Sequence, residues 1–438
     1  MKRLKIFYLL AVLLSNLGQS FPGQQPNAEI LPEDFSAKVF SHIVHLARMG
    51  HRQVGSKNDN LAAQYIKNQF ESMDIDVEAQ PFEFESFEYT NARLKVGDKQ
   101  IAVVGLGFNP YKNKRAYEGT ALLIDLNDSE VLYTQEEIEG KTIISNNWNG
   151  HFRLLRYKPK LIVYVDSLGF EKLKSEGQLS FKLDIEGEYK KYKSANIIGM
   201  VGDNKSSSKE VLITAHFDTY RKNNPGASDN ASGVGVVLEL ARYFKKIEDE
   251  LNCTVKFIAF GAEEIGIIGS RNYLNDNAES LQQCELVFNI DDVGGSGALL
   301  VEMTGGVRGI SEKKCVSQIP KNLKFCSWEG VNSKWRMLAD KDLMKVMAVS
   351  NHPQWLIDIV NKSIEDLKYG IVPTGTQGSD QLTFAQAGIV TSGVGIINEY
   401  RHTPKDIPEN LNKKSLRIAG ELAVHVVLNT LKRFEEKY

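Results

Sequence analysis

The stretch AHFDTYRKNNPGASDNASGVGVVLELARYF, Ala215 to Phe244, joins a strand to a helix and fills the join with polar groups. VLITAHF is a short apolar run rich in strand-forming residues, and it reads as a buried strand. It ends on His216, with Asp218 just beyond. A loop without apolar periodicity follows. GASDNASG then opens a stretch, Gly233–Ile247, with the spacing of a helix. An open α/β sheet binds its ligands outside the carboxyl ends of its strands. The polar residues of this join therefore stand where chemistry collects.

The rest of the chain repeats the pattern from Ser194 onward, where apolar runs alternate with amphipathic ones. SANIIGMV, EVLITAHF, TVKFIAF, ELVFNID and GIVTSGV are candidate strands. Gly233–Ile247, Gly269–Asn275, Pro353–Lys368 and Lys413–Phe434 are candidate helices. Before them, VFSHIVHLARMG and DNLAAQYIKNQFESMD have helical spacing. Between about Phe82 and Lys193 the character changes to short runs separated by turn residues (IAVVGLGF, TALLID, KTIISN, KLIVYV), with a short helix near Leu168–Ser175. The expected fold is α/β: a mixed, mostly parallel central sheet flanked by helices, formed by 33–81 and 194–438. The β-rich stretch 82–193 is inserted into it. Gly297–Val349 lacks periodicity and reads as an excursion over the surface.

Bulk properties exclude several classes. The chain has 438 residues, 42% hydrophobic and 25% charged, an ordinary globular mix. A net charge of -2 gives no reason to expect a nucleic-acid partner. MKRLKIFYLLAVLLSNLGQS has a basic start and a short apolar core, the shape of a signal peptide over 1–20, followed by a linker over 21–32. A spanning anchor would need roughly 20 apolar residues, so the mature chain is expected to be exported, secreted or periplasmic, without stable membrane insertion. Export permits disulfides. Of the four cysteines, Cys315 and Cys326 flank a polar loop they could close, whereas Cys253 and Cys284 read as small buried residues near strand starts.

Other strand ends carry acids. VKFIAFGAEE ends on Glu263 and Glu264, LVFNIDD on Asp291 and Asp292, and a second histidine, His402, follows the last strand in EYRHTPKD. Carboxylates gathered at one sheet edge repel one another unless a cation lies among them. Asp229, Glu264 and Asp291 supply three negative charges. Two Zn²⁺ with a bridging hydroxide would balance them, and His nitrogen with carboxylate oxygen suits zinc. Asp229, at the mouth of a helix among glycines, is the expected bridge. Asp218 could accept the proton on the second ring nitrogen of His216.

These residues resemble the di-zinc aminopeptidases of the Vibrio and Streptomyces type, whose pattern is His-x-Asp, Asp-Asn-x-(Ser/Ala)-Gly, Glu-Glu, Asn-x-Asp and a late His. HFD, DNASG, AEE, NID and RHT occur here in that order. GHRQVGSKNDNLAAQYI also resembles that family's N-terminal helix region, and the β-rich stretch looks like a protease-associated insert. The resemblance implies the metal ligands His216, Asp229, Glu264, Asp291 and His402. It groups His216, Asp229 and Glu264 on one zinc and Asp229, Asp291 and His402 on the other. Glu263 becomes the general base, Asp218 a catalytic support to His216, and Tyr400 a candidate for stabilising the oxyanion. Gln381, in GSDQLTF, stands where the family commonly has His, a departure that bears on substrate binding.

Each residue has a plainer reading. A lone histidine is usually structural, a Glu pair is usually solvated, and Asp292 reads as a cap. His42, His45 and His51 lack metal-binding spacing and are read as non-catalytic. Three functions remain: a zinc aminopeptidase acting on peptides with a free N-terminus, through metal-activated hydroxide and Glu263; a glutaminyl cyclase, a single-zinc transferase on the same fold; and a non-catalytic binding protein. The complete ligand set favours the first.

Overall fold

The computed structural model describes residues 30–106, 116–125, 134–146, 159–175, 179–202, 209–220, 223–296, 299–304, 353–367, 371–374 and 379–435. The signal segment, Cys315 and Cys326 lie outside the described residues, as do His151 and His352. All the elements belong to the unit Asp34–Tyr438.

The apolar runs become strands β1 (Asp76–Val96), β2 (Lys99–Leu106), β3 (Ala116–Ile124), β4 (Thr142–Ser145), β5 (Leu161–Val165), β6 (Leu179–Gly202), β7 (Glu210–His216), β8 (Thr254–Phe260), β9 (Cys284–Ile290), β10 (Leu299–Thr304), β11 (Ile371–Thr374) and β12 (Thr391–Gly395). The helices are α1 (Phe35–Arg48), α2 (Lys57–Glu71), α3 (Gln135–Ile138), α4 (Ser167–Leu173), α5 (Gly233–Lys246), α6 (Ile268–Asp276), α7 (Gln354–Leu367), α8 (Gln381–Gln386) and α9 (Lys413–Glu435).

The central sheet runs β6-β8-β7-β9-β12-β10-β11. Neighbours β8/β7, β7/β9 and β9/β12 are parallel, while β6/β8 and β10/β12 are antiparallel. Every residue of β7 is buried, as expected of a parallel strand covered on both faces. On one face Leu212, Ile258 and Val287 pack with Tyr273 of α6 and Phe384 of α8. Helix α5 packs between α1 and the sheet. Its residues Gly233–Ala241 are all buried, and the one acid among them, Glu239, is paired with His42 of α1.

The β-rich stretch is tied to this sheet by two long strands. β1 and β6 pair antiparallel from Asp76↔Met200 to Val96↔Phe181, with one register shift near Tyr89. The pairings β1–β2, β2–β5, β5–β4, β4–β3, β3–β6 and β6–β1 close a ring. Its interior is a separate apolar core that includes Leu94, Ile144, Val163, Phe170 and Leu183. Phe82 pairs with Ser194 and Glu83 with Lys193, so the expected insert boundaries lie on adjoining rungs of an uninterrupted ladder.

One reading is corrected. The segment after Gly297 does not begin as a surface excursion: Leu299–Thr304 is β10, paired antiparallel to β12 and parallel to β11. Its apolar run is short and follows glycines, so periodicity alone did not single it out; 305–350 lie outside the described residues. Cys253 and Cys284 are both free thiols, Cys253 buried as read and Cys284 half-buried. Among the described residues no helix is long and apolar enough to cross a membrane.

Candidate metal centre

His216 is the last residue of β7 and is buried. Beyond it, the Phe217 amide donates to the Phe260 carbonyl at 2.9 Å, which keeps the two strand ends in step. The buried Asp218 carboxylate accepts the backbone N–H groups of Glu263 (3.0 Å) and Glu264 (3.1 Å). It thereby holds the turn after β8, where Ala262 takes a positive φ of 58°. Its Oδ1 also lies 3.5 Å from His216 Nδ1, a charge contact rather than a well-formed hydrogen bond. Asp218 thus braces both glutamates as well as the histidine, a role its position in HFD did not suggest.

The loop carrying Asp229 is built by its motif. Asn230 Nδ2 donates to the Ile290 carbonyl at 2.9 Å, and its Oδ1 accepts the Gly233 amide at 2.9 Å. The loop is so bound both to the end of β9 and to the start of α5. Ser232 Oγ donates to the Ser228 carbonyl at 2.6 Å and accepts the Val293 amide at 3.1 Å. A Cβ at Gly233 would lie 2.4 Å from both Asn230 Oδ1 and the Ile290 carbonyl oxygen, so only glycine fits. The Asp229–Asn230 peptide is cis.

Two further residues brace this loop, and neither belongs to the candidate set read from the sequence. Asp406 accepts the amides of Ser228 (2.7 Å) and Asp229 (3.1 Å). Arg52 has no exposed surface and donates to the carbonyls of Phe217 (2.8 Å), Pro225 (2.6 Å) and Gly226 (2.9 Å), with a longer bond to Leu46. Burial lowers its guanidinium to about 10, still charged at neutral pH. Their sequence signals were weak: Arg52 lies in GHRQVGS and Asp406 four residues past His402.

The fold brings the five candidate ligands together. His216 Nε2 is 3.2 Å from Asp229 Oδ1 and 3.4 Å from Asp291 Oδ1. His402 Nε2 is 2.9 Å from Asp229 Oδ2 and 3.6 Å from Glu264 Oε2. Asp229 lies between the two histidines and offers each a different oxygen. One ligand atom from each of His216, Asp229 and Glu264 also falls within 4.8 Å of the others. The direct contacts nevertheless set His216 beside Asp291 and His402 beside Glu264, which exchanges the two end carboxylates relative to the sequence grouping.

The electrostatics are those of a cation site. Burial, reinforced by Glu264, Asp380 and Asp291 and only partly opposed by His216, pushes the Glu263 carboxyl well above its usual range. Burial opposes the charge on His402, but Glu264 and Asp229 raise it to about 9. Glu264 Oε1 and Asp291 Oδ1 are buried without a hydrogen-bond partner. Orphaned carboxylate oxygens beside imidazole nitrogens fit the donor set of zinc.

The other candidates settle elsewhere. Asp292 accepts the Ser228 hydroxyl and the Asn398 amide, which makes it a brace between loops. Tyr400 lies with its ring 5.8 Å from the Lys405 ammonium, and the neighbouring Glu399 raises its hydroxyl above the usual range. Gln381 is buried and accepts from Asn289 Nδ2 at 2.8 Å, so this departure sits in a polar network beneath β9 and not on a cleft surface. His42 bonds to Tyr65 and Glu239, and His51 lies 3.3 Å from the Thr219 carbonyl.

Residues 196–323 match Peptidase family M28. The chain is 27% identical to aminopeptidase YwaD of Bacillus subtilis over 251 residues, 55% of this chain and 45% of that protein, so the match spans under half of YwaD. Its fold is similar to that of an aminopeptidase from Aneurinibacillus sp. strain AM-1, with a TM-score of 0.59, 19% identity, and 90% and 93% of the two chains covered. It is also similar to a glutaminyl cyclase from Porphyromonas gingivalis, with a TM-score of 0.50, 14% identity, and 91% and 99% covered. The mixed α/β sheet flanked by helices is thus shared with an aminopeptidase of known structure, and the match of residues 196–323 to Peptidase family M28 bears out the resemblance read from the ligand pattern.

Proposed function

We propose that this protein is an exported zinc aminopeptidase that hydrolyses the N-terminal peptide bond of peptides. The observation that carries the reading is the contact cluster itself: two imidazoles on opposite oxygens of Asp229, each with a second carboxylate beside it. This arrangement supports a two-ion site in which His216 and Asp291 serve one zinc, His402 and Glu264 the other, and Asp229 both. Bound zinc would lower the pKa of a water and polarise the scissile carbonyl.

Glu263 performs the proton chemistry. Its carboxylate takes a proton from the attacking water and returns it to the amine nitrogen as the C–N bond breaks. Asp218, by holding the Glu263 and Glu264 amides, keeps one glutamate for the proton and the other for the metal. The basic and then apolar N-terminal segment supports export. The ring of strands within 82–193, with its own core, supports a separate folding unit that contributes no ligand.

The similarity in fold to a glutaminyl cyclase supports a second reading, a single-zinc transferase. One experiment separates them. Purified protein is stripped with chelator, titrated with zinc, and assayed on aminoacyl-coumarins, on N-acetylated controls and on Gln-peptides. Release of free amino acid from unblocked substrates alone, rising to two zinc per chain, supports the aminopeptidase. Pyroglutamate formation at one zinc per chain, without released amino acid, overturns it.

A further inference from the structure

Arg401 is a charged group of this cluster to which the five candidate ligands and Glu263 give no task. Arg401 Nε lies 3.2 Å from Asp229 Oδ2, the same oxygen that faces His402. The guanidinium is 32% exposed, unlike the buried Arg52. Among the described residues its terminal nitrogens make no hydrogen bond, although a guanidinium offers five N–H donors. Its backbone is held in place. The Arg401 amide donates to the Asn398 carbonyl at 3.1 Å, Asn398 is held by Asp292, and the Thr403 amide donates to the Tyr400 carbonyl.

A permanent cation in that place needs an explanation. If Asp229 serves metal ions, its charge is already matched, and an arginine beside them adds like charge. Asp292, which is not a candidate ligand, offsets part of that charge, and the remaining N–H groups are placed to meet an anion that forms at the site. In amide hydrolysis the anion forms at a known point: the carbonyl oxygen gains a full negative charge as water adds to the carbon. A preorganised donor at that oxygen accelerates the step, whereas a donor that binds substrate and transition state equally does not.

We propose that Arg401 is a catalytic residue for the aminopeptidase reaction: anchored through Nε on Asp229, it donates terminal N–H groups to the scissile carbonyl oxygen as that oxygen becomes anionic. This inference rests on the hydrolase reading above. Arg401 moves no proton. The water oxygen bonds to the carbonyl carbon, the water proton passes through Glu263 to the leaving nitrogen, and the electron pair on the carbonyl oxygen returns when the C–N bond breaks. The guanidinium stabilises the charge between those events.

The test uses the full-length, zinc-loaded protein and the variants Arg401→Lys and Arg401→Ala. Three quantities are read: zinc per chain, kcat and KM on an aminoacyl-coumarin, and affinity for a peptide phosphonate that mimics the tetrahedral species. Arg401→Ala is expected to keep its zinc and its KM within about threefold while kcat falls about 10²–10³-fold. Phosphonate affinity should fall with kcat, whereas affinity for the product amino acid should hold. Added guanidinium at millimolar concentration should restore part of the Ala variant's turnover, and Arg401→Lys should lie between Ala and wild type. The proposal is overturned if kcat is unchanged at full zinc loading, or if the whole loss is recovered by excess zinc. In the second case Arg401 only tunes metal affinity through Asp229. If the wild type releases no amino acid from any peptide, the hydrolase reading fails; phosphonate binding still judges Arg401, since equal affinity in wild type and Ala variant refutes the contact.

Discussion

Replacing Arg52 with methionine isolates what a buried cation does for this fold. Its side chain ties three segments: the end of α1 through Leu46, the end of β7 through Phe217, and the approach to Asp229 through Pro225 and Gly226. Gly226 sits at φ 60°, and a Cβ there would lie 2.2 Å from Thr219 Cγ2, so the loop has little freedom to find other partners. Methionine removes the charge and takes the donor from the buried Phe217 carbonyl and the half-buried Pro225 carbonyl, while the Gly226 carbonyl keeps the Ala231 amide at 3.0 Å. Each lost charge-assisted bond is worth about 1.5–3 kcal/mol, part of it offset because the guanidinium no longer has to be desolvated. The net expectation is about 3–5 kcal/mol of lost stability, the range for breaking a buried charged network. Lysine should restore little, because one ammonium cannot reach carbonyls spread over so wide an arc. Urea unfolding of metal-free wild type, Arg52→Met and Arg52→Lys measures the first effect, and zinc titration against a competing chelator measures the second. Zinc affinity should fall at least tenfold in both variants, since the loop that carries Asp229 loses the brace that fixes its approach through Pro225 and Gly226. An Arg52→Met protein within about 1 kcal/mol of wild type would refute the stability argument. Lost stability with unchanged zinc affinity would refute the coupling of the clamp to the metal site.

Glu263→Gln should keep its zinc and lower kcat about 10²–10⁴-fold, while Glu264→Gln should lose metal; elemental analysis with turnover decides, and the reversed pattern exchanges the two roles. Asp59 is buried and its carboxyl is raised to about 7 from the usual 3.8, chiefly by burial. The folded state therefore holds a proton that the unfolded chain has released, and stability falls as pH rises through that window, by up to about 4 kcal/mol. Asp59→Asn should flatten the fall, and matched unfolding curves at pH 5 and pH 8 that still diverge as in wild type would contradict this. Gly233→Ala should destabilise the protein and weaken zinc binding, because the new methyl would displace Asn230 or the Ile290 carbonyl; unchanged melting and zinc titration would count against the packing seen there. Replacing 90–186 with a two-residue turn joins Tyr89 to Gly187, which already face each other on the ladder, and should leave zinc binding intact. A folded product unable to take up zinc would make the ring of strands part of the metal domain.

The elements that build the site were legible along the chain because they depend on local pattern. EVLITAHF and ELVFNID are short apolar runs rich in β-branched residues, as strands buried on both faces use. The acids and histidines at the ends of those runs stood out because nothing apolar accompanied them. What the chain could not reveal is who meets whom. Strand order sets β7 between β8 and β9, so His216 has both acids near it, and side-chain packing puts it 3.4 Å from Asp291. The ladder that carries the chain across the boundaries at Phe82 and Lys193 pairs residues more than a hundred positions apart, beyond any periodicity. Arg52 and Asp406 are plain loop residues in the sequence. They become the two braces of the Asp229 loop only when the fold brings together backbone groups 165 to 178 positions away. Side-chain periodicity and strand propensity act over a few residues, and they place the ligands. Satisfying buried carbonyls and dividing carboxylates between two histidines are settled by packing across the whole chain, and only the tertiary structure decides them.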